Sequence, residues 1–258
     1  TNSCFASLLT PQGKYLFEFI ITKHKKGYFL ECEKKMIDKL YIKLNSYKFR
    51  SKVEILNLSN EFVVAVLSRE KFLTLENSKN ILGYTTKFRE DPIYLDPRHK
   101  DLGARLITNL EKLHLSLKLL ELKSSNLDEY YSVSNKLGIP QINTDKLQNN
   151  LFGIECNLNE LNGIDFKKGC YVGQENTARI KLKDKLSKRL FPVEVIEGDL
   201  SKDNIIHHEN TELGKVLINN KFPFAIVKFK DKNFKFEKIF KCGSASVKIK
   251  KPCWFKFD

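Results

Sequence analysis

The chain has 258 residues, 41% hydrophobic and 29% charged, with a formal net charge of +14 at pH 7. That length builds two or three modest domains with real cores, and the ordinary apolar fraction excludes a disordered chain. No apolar run reaches the length of a membrane span, Phe62–Leu67 being among the longest, so no membrane partner is expected.

Alternation over Cys4–Leu9 and Tyr15–Ile21, around Thr10-Pro11-Gln12-Gly13, predicts a hairpin, and Tyr28–Glu31 adds a strand. Met36, Ile37, Leu40, Tyr41 and Leu44 then recur at helical spacing up to Asn45-Ser46. Strands are predicted at Val53–Leu56 and Phe62–Leu67, so this part alternates strand and helix. Asp91-Pro92 to Gly103 reads as a charged loop around an Asp-Pro-Arg turn, either a domain junction or a place where ligands are met. Helices are expected over Leu110–Leu122 and over Leu127–Leu137, the latter stopped by Gly138 and Pro140, with a short one near Lys146–Leu151. Arg179-Ile180-Lys181-Leu182-Lys183 alternates polar with apolar and predicts a strand. From Leu190 onward, Phe191–Ile196, Leu213–Ile218, Phe224–Phe229 and Ser246–Ile249 read as short strands of a small barrel, because closure removes exposed edges. The expected fold class is α+β. Segments 1–98 and 99–187 form a mixed α/β N-terminal part, and 188–258 a small C-terminal β-barrel.

The basic balance invites a nucleic-acid reading, since cationic surfaces attract phosphate whatever its sequence. Its make-up weakens that reading. Of 45 basic residues only seven are arginine, and arginines and aromatics are not clustered as nucleic-acid readers cluster them. Binding to tRNA is therefore expected to be weak at most, with an RNA-associated binding module kept as an alternative. The six cysteines, Cys4, Cys32, Cys156, Cys170, Cys242 and Cys253, are scattered without a Cys-x-x-Cys pair. That excludes a disulfide framework and a complete local metal site, and it fits a reducing, cytoplasmic setting. His207-His208 lies in a polar stretch and reads as solvated rather than metal-binding.

The most reactive stretch is Lys168-Gly169-Cys170-Tyr171-Val172-Gly173-Gln174-Glu175, which gathers a thiol, an aromatic ring, a carboxamide and a carboxylate between two glycines. Gly169 and Gly173 admit backbone angles closed to other residues and let a ligand approach the main chain. Lys167, Lys168 and a helical turn opening at Gly173 would favour the thiolate of Cys170. The bland alternative is a tight loop with a small buried thiol.

Together with Glu155-Cys156-Asn157-Leu158, Leu161-Asn162-Gly163-Ile164-Asp165-Phe166-Lys167 and Asn176-Thr177-Ala178-Arg179, this octet resembles the signature of the YgfZ family of folate-binding proteins. The likeness is closest to the branch that includes the mitochondrial iron–sulfur assembly factor. Leu9-Thr10-Pro11-Gln12-Gly13-Lys14, Tyr47–Val53, Asp96-Pro97-Arg98, Leu102-Gly103-Ala104-Arg105 and Leu137-Gly138-Ile139-Pro140 follow in the family's order. One departure is Ser134-Asn135, where the family carries an arginine. The family has a further strand and helix ahead of the hairpin, so a chain opening at Thr1 reads as trimmed or processed at its front.

The resemblance implies an aminomethyltransferase-like multidomain fold, tetrahydrofolate or a derivative as cofactor, and support for the assembly or repair of iron–sulfur enzymes, some of them tRNA-modifying. It implies iron–sulfur carrier or client proteins as partners and does not require independent turnover. A pterin presents a ring N–H beside an amino group, which a carboxylate matches with two parallel bonds, so Glu175 is the first candidate acceptor. As a helix-start glutamate it would instead complement the helix dipole. Tyr171 is placed to stack on the ring or to act as a packing anchor, and Gln174 offers both donor and acceptor. Arg98, Arg105 and Arg179 are the candidates for the folate's anionic tail, or for structural ion pairs. Asp96 before Pro97 is first a turn signal. Cys170 is the candidate catalytic residue; a lone cysteine holds no cluster by itself, so any cluster bound there would be shared with a partner. A folate-dependent one-carbon transferase is the enzyme-class alternative.

Overall fold

The computed structural model describes residues 2–183, 186–200 and 204–256. The chain divides into two compact units: Thr1–Ala6, Phe17–Leu127 and Leu161–Gly163 make the first, and Ser7–Leu16, Asp128–Glu160 and Ile164–Asp258 the second. The chain thus passes from one unit to the other five times.

The predicted hairpin forms as β1 (Cys4–Leu9) and β2 (Tyr15–His24), with β3 (Gly27–Glu31) completing a three-stranded sheet. The expected helix is α1 (Ile37–Lys48), led in by a 3-10 turn over Lys34–Met36. Only part of its apolar stripe is used: Met36 and Leu40 are buried, whereas Tyr41 faces solvent. The strand expected at Val53–Leu56 does not form. Val53 and Leu56 are exposed, and β-branched residues alone do not make a strand without a neighbour to pair with.

The rest of the first unit is built on a second sheet. β4 (Val63–Leu67), which leads into α2 (Arg69–Leu73), joins β5 (Thr85–Phe88), β6 (Asp91–Leu95) and β7 (Ala104–Thr108) in the antiparallel order β4-β7-β6-β5. The stretch read as a charged loop therefore contains one strand, β6, and ends where another, β7, begins. Both are buried at every position, so they lack alternation, and Pro92 within β6 mimics a turn signal. Phe72 from α2 packs with Ile93, Leu95, Ala104 and Leu106 as the core beneath this sheet. α3 (Leu110–Leu119) follows, capped by Asn109, whose side chain accepts from the Lys112 N–H at 2.8 Å.

α4 (Leu127–Lys136) ends at Gly138 as expected, and the short helical region is a 3-10 turn over Thr144–Leu147. The strand predicted at Arg179–Lys183 is instead the C-terminal half of α5 (Gln174–Leu182). Thr177 is buried and Ile180 half-buried at helical spacing from Gly173, while Leu182, which the alternation had made inward-facing, is exposed. The terminal barrel is closed: β8 (Arg189–Glu197), β9 (Ile205–His208), β10 (Thr211–Ile218), β11 (Phe224–Val227), β12 (Ile239–Cys242) and β13 (Ala245–Ile249) run in the order β10-β11-β8-β13-β12-β9. The short β9 and β12 had no sequence signal. His207 and His208 lie half-buried on β9, not in a solvated loop. Inside the barrel, Phe191 meets Phe236 and Phe255 edge-on, each at a 5.1 Å centroid separation.

Candidate functional site

In the second unit, the octet is held against the hairpin turn by two glycines. Gly13 and Gly173 both have positive φ, +81° and +82°, and a Cβ on Gly173 would stand 2.6 Å from the Thr10 carbonyl oxygen and 2.9 Å from the Gly13 Cα. Only glycine fits that approach. Thr177 Oγ1 donates to the Gly173 carbonyl at 2.8 Å, and the Asn176 amide donates to the Gln12 carbonyl at 3.2 Å. Two motifs far apart in the sequence therefore lie main chain against main chain. Gly169 is different: nothing lies within 4 Å of a Cβ placed there.

The loop ahead of α5 carries the candidate side chains. Cys170 is exposed, Tyr171 half-buried, Gln174 half-buried and Glu175 exposed in the first turn of α5. The Tyr171 hydroxyl is buried without a hydrogen-bond partner among the described residues, and the Lys168 Nζ lies 4.9 Å from its ring centroid. Burial, then the nearby Asp165 carboxylate, pushes the Tyr171 phenol above its usual pKa. Arg179, one turn beyond Glu175, is exposed and donates to Asn176 Oδ1 at 2.6 Å.

Beside this loop lies an open cleft of about 520 Å³ lined by Gln12, Lys14, Phe152, Asn176, Arg179 and Ile180. The Lys14 Nζ sits 5.0 Å from the centre of the Phe152 ring. Two cations, an aromatic face and an amide are a donor set suited to a flat, anionic ligand. Lys14 stood in the hairpin motif without a signal of its place in the cleft, and Phe152 and Ile180 had no sequence signal as cleft residues.

Arg98 and Arg105 belong to the first unit, in a buried charge network. Arg98 grips Asp96 through Nε at 3.0 Å and Nη2 at 2.7 Å, and its own N–H donates to the same carboxylate at 2.9 Å. Arg105 donates through Nε to Glu31 at 3.1 Å and through Nη1 to Asp96 at 3.5 Å, while the Tyr94 hydroxyl donates to Glu31. Asp96 is wholly buried, so the turn signal conceals a core carboxylate. Burial would raise its pKa, but the charge and hydrogen bonds of Arg98, with the charge of Arg105, hold it below the usual value. Tyr94 is driven the other way, by burial and then by Glu31. Both arginines thus have the structural ion pairs named as their alternative.

The flanking motifs are anchors. Buried Asn157 donates to the Leu190 carbonyl at 2.7 Å and accepts from Arg189 at 3.1 Å, tying Glu155-Cys156-Asn157-Leu158 to the first barrel strand. Asn162 donates to the Pro97 carbonyl at 3.0 Å. Among the described residues, no group of three or more His, Cys, Asp or Glu could hold a metal ion.

No family model matches the chain. It is 30% identical over 212 residues to the mitochondrial iron–sulfur cluster assembly factor IBA57 of Mus musculus, covering 79% of this chain and 56% of that protein. It is 26% identical over 228 residues to the Dictyostelium discoideum homolog, covering 80% and 55%, and 30% identical over 199 residues to the Homo sapiens protein, covering 75% and 54%. The chain spans about half the length of the curated relatives it matches. In fold it is similar to glycine cleavage system aminomethyltransferase T from Bartonella henselae, with a TM-score of 0.73 over 98% of this chain and 76% of that one, at 11% identity. The relatives are named as mitochondrial proteins, which overturns the expected cytoplasmic setting. The scattered cysteines behind that expectation do not tell one reducing compartment from another. The sequence likeness and the aminomethyltransferase-like fold together make this chain a homologue of the IBA57 assembly factors and a member of the YgfZ family.

Proposed function

We propose that the protein serves iron–sulfur cluster assembly in the mitochondrion, holding a tetrahydrofolate-type ligand beside a reactive Cys170. The observation that carries this reading is the exposed Cys170 thiol on a loop pinned by the Gly173–Thr10 contact. Pinning fixes the thiol's base while leaving its sulfur accessible. The cluster is cargo here. One thiolate is a quarter of a usual ligand set, so a carrier or client protein supplies the rest, tRNA-modifying enzymes being among the clients.

The residues present fit a folate. The unpartnered Tyr171 hydroxyl, the Gln174 amide and the Glu175 carboxylate offer the polar contacts of a pterin, and Arg179 with Lys14 offers cations for the acidic tail. A reduced folate would bring one-carbon or redox chemistry, and this chain's own groups would bind and orient it. The likeness to aminomethyltransferase T favours a second reading, a folate-dependent one-carbon transferase.

Two variants separate these readings. In calorimetry, Glu175→Gln is expected to weaken tetrahydrofolate by roughly 1–3 kcal/mol, because the amide turns one matched acceptor into a donor facing a donor. Absence of binding by the wild type, or equal binding by the variant, refutes the folate placement. Cys170→Ser is expected to fold normally and to fail to rescue iron–sulfur enzyme activity in a deletion strain. A serine variant that rescues fully while Glu175→Gln does not moves the function to the transferase.

A further inference from the structure

Segment 37–56 of the first unit exposes apolar side chains that fold economy would bury. Ile42 is 68% exposed, Tyr47 47%, Phe49 87%, Val53 52% and Leu56 62%. On α1, Ile42 lies opposite the buried Leu40, and Phe49, the residue at which the helix stops, is the most exposed of the five. Phe49 also has φ +46°, a conformation bulky L-residues rarely hold, at the point where the helix stops. Interspersed with these are Lys39, Lys43, Lys48, Arg50 and Lys52, against only Asp38 and Glu54, a net charge of +3 within the segment.

We infer that this face is a docking surface for an anionic lipid membrane. Aliphatic and aromatic tips spaced by flexible cations are what a headgroup boundary accepts: the tips enter the acyl edge while the lysines meet lipid phosphates. A protein partner fits less well, since the cores of protein interfaces are depleted in lysine. Nucleic acid fits less well again, because Ile42, Val53 and Leu56 have no ring to stack on a base. Among the described residues, no helix is long and apolar enough to cross a membrane. The sequence reading that excluded a membrane partner rested on spans and does not bear on a surface.

Sedimentation of the full chain with phosphatidylcholine vesicles containing phosphatidylserine, against phosphatidylcholine alone, tests this. The wild type is expected to bind the anionic vesicles and to lose binding as salt screens the lysines. The pair Ile42→Ser and Phe49→Ser, and separately the pair Lys39→Gln and Lys52→Gln, should each lower partitioning roughly tenfold. All four side chains are exposed, so far-UV circular dichroism should be unchanged. No binding to anionic vesicles overturns the proposal, as does binding indifferent to the serine pair. Vesicle binding absent while single-stranded RNA binds through these same residues would assign the face to nucleic acid instead.

Discussion

Replacing Gly173 with alanine is expected to destabilise the second unit by about 2–4 kcal/mol, and replacing Gly169 is not. A Cβ at 173 would stand 2.6 Å from the Thr10 oxygen, 2.9 Å from the Gly13 Cα and 3.0 Å from the Gly13 nitrogen, where ordinary contact begins at 3.4 Å. All three atoms are main chain, so no side chain can swing away and the hairpin turn itself has to move. Positive φ at an L-residue adds about 1 kcal/mol, and forced overpacking about 1–3 kcal/mol. Gly169→Ala meets nothing within 4 Å and is expected to be neutral or stabilising by up to about 1 kcal/mol through the unfolded chain. Urea melts followed by Trp254 fluorescence read this directly. That residue is the sole tryptophan, it belongs to the second unit, and its indole donates to the Leu137 carbonyl at 2.7 Å. With an m-value of about 3 kcal/mol/M, the midpoint for Gly173→Ala should fall by roughly 1 M. Equal midpoints for the two variants would refute the argument that the close approach, rather than ligand access, demands glycine at 173.

Asp96→Asn should cost about 3 kcal/mol, since it leaves Arg98 and Arg105 short of a buried counter-charge; urea melts by far-UV circular dichroism measure it. The folded-state pKa of Asp96 is depressed, so its contribution is complete above the unfolded value near 4 and disappears as pH falls through the folded value. Wild-type stability should accordingly drop more steeply than that of the variant below about pH 4. Among the exposed and half-buried thiols, timed alkylation at pH 8 with mass mapping should label exposed Cys170 before half-buried Cys32, because burial, then the charges of Glu31, Glu33 and Glu18, pushes the Cys32 thiol up to about 12. Cys32 labelled as fast as Cys170 would contradict that burial. Binding to tRNA should be weak, indifferent to the RNA's identity and steeply lost with salt; tight, selective binding at physiological salt would revive the RNA reading.

Local chemistry made several elements legible. The Thr10-Pro11-Gln12-Gly13 turn between alternating runs announced β1 and β2, and Gly138 with Pro140 announced the end of α4. Where burial is continuous, as in β6 and β7, alternation vanishes and a proline misleads. In α5 two periodicities fitted one string, and the Thr177 and Ile180 face prevailed because Gly173 had already fixed the start of the helix. The cleft was the hardest part to foresee. Its walls come together through contacts such as Asn176 to Gln12, 164 residues apart, which no local window contains. The octet was visible for its residue types; for Arg98 and Arg105 an ion pair was an open alternative, but its partners Glu31 and Asp96 were not foreseen, since they meet the arginines only in the fold.

The five passages of the chain between its two units carry a consequence for how the protein is made. Neither unit is a continuous stretch, so a ribosome delivers no complete unit early. Ser7–Leu16 is made well before Asp128–Glu160 and Ile164–Asp258, with which it belongs, and the first unit stays incomplete until Leu161–Gly163 has followed. Until then, apolar strands such as β1 and β2 have to be shielded from one another's copies, which makes the nascent chain a natural client for chaperones. The same weave means that a nick in a surface loop need not release a domain, because each half of the cut chain still contributes strands to a structure that the other half completes.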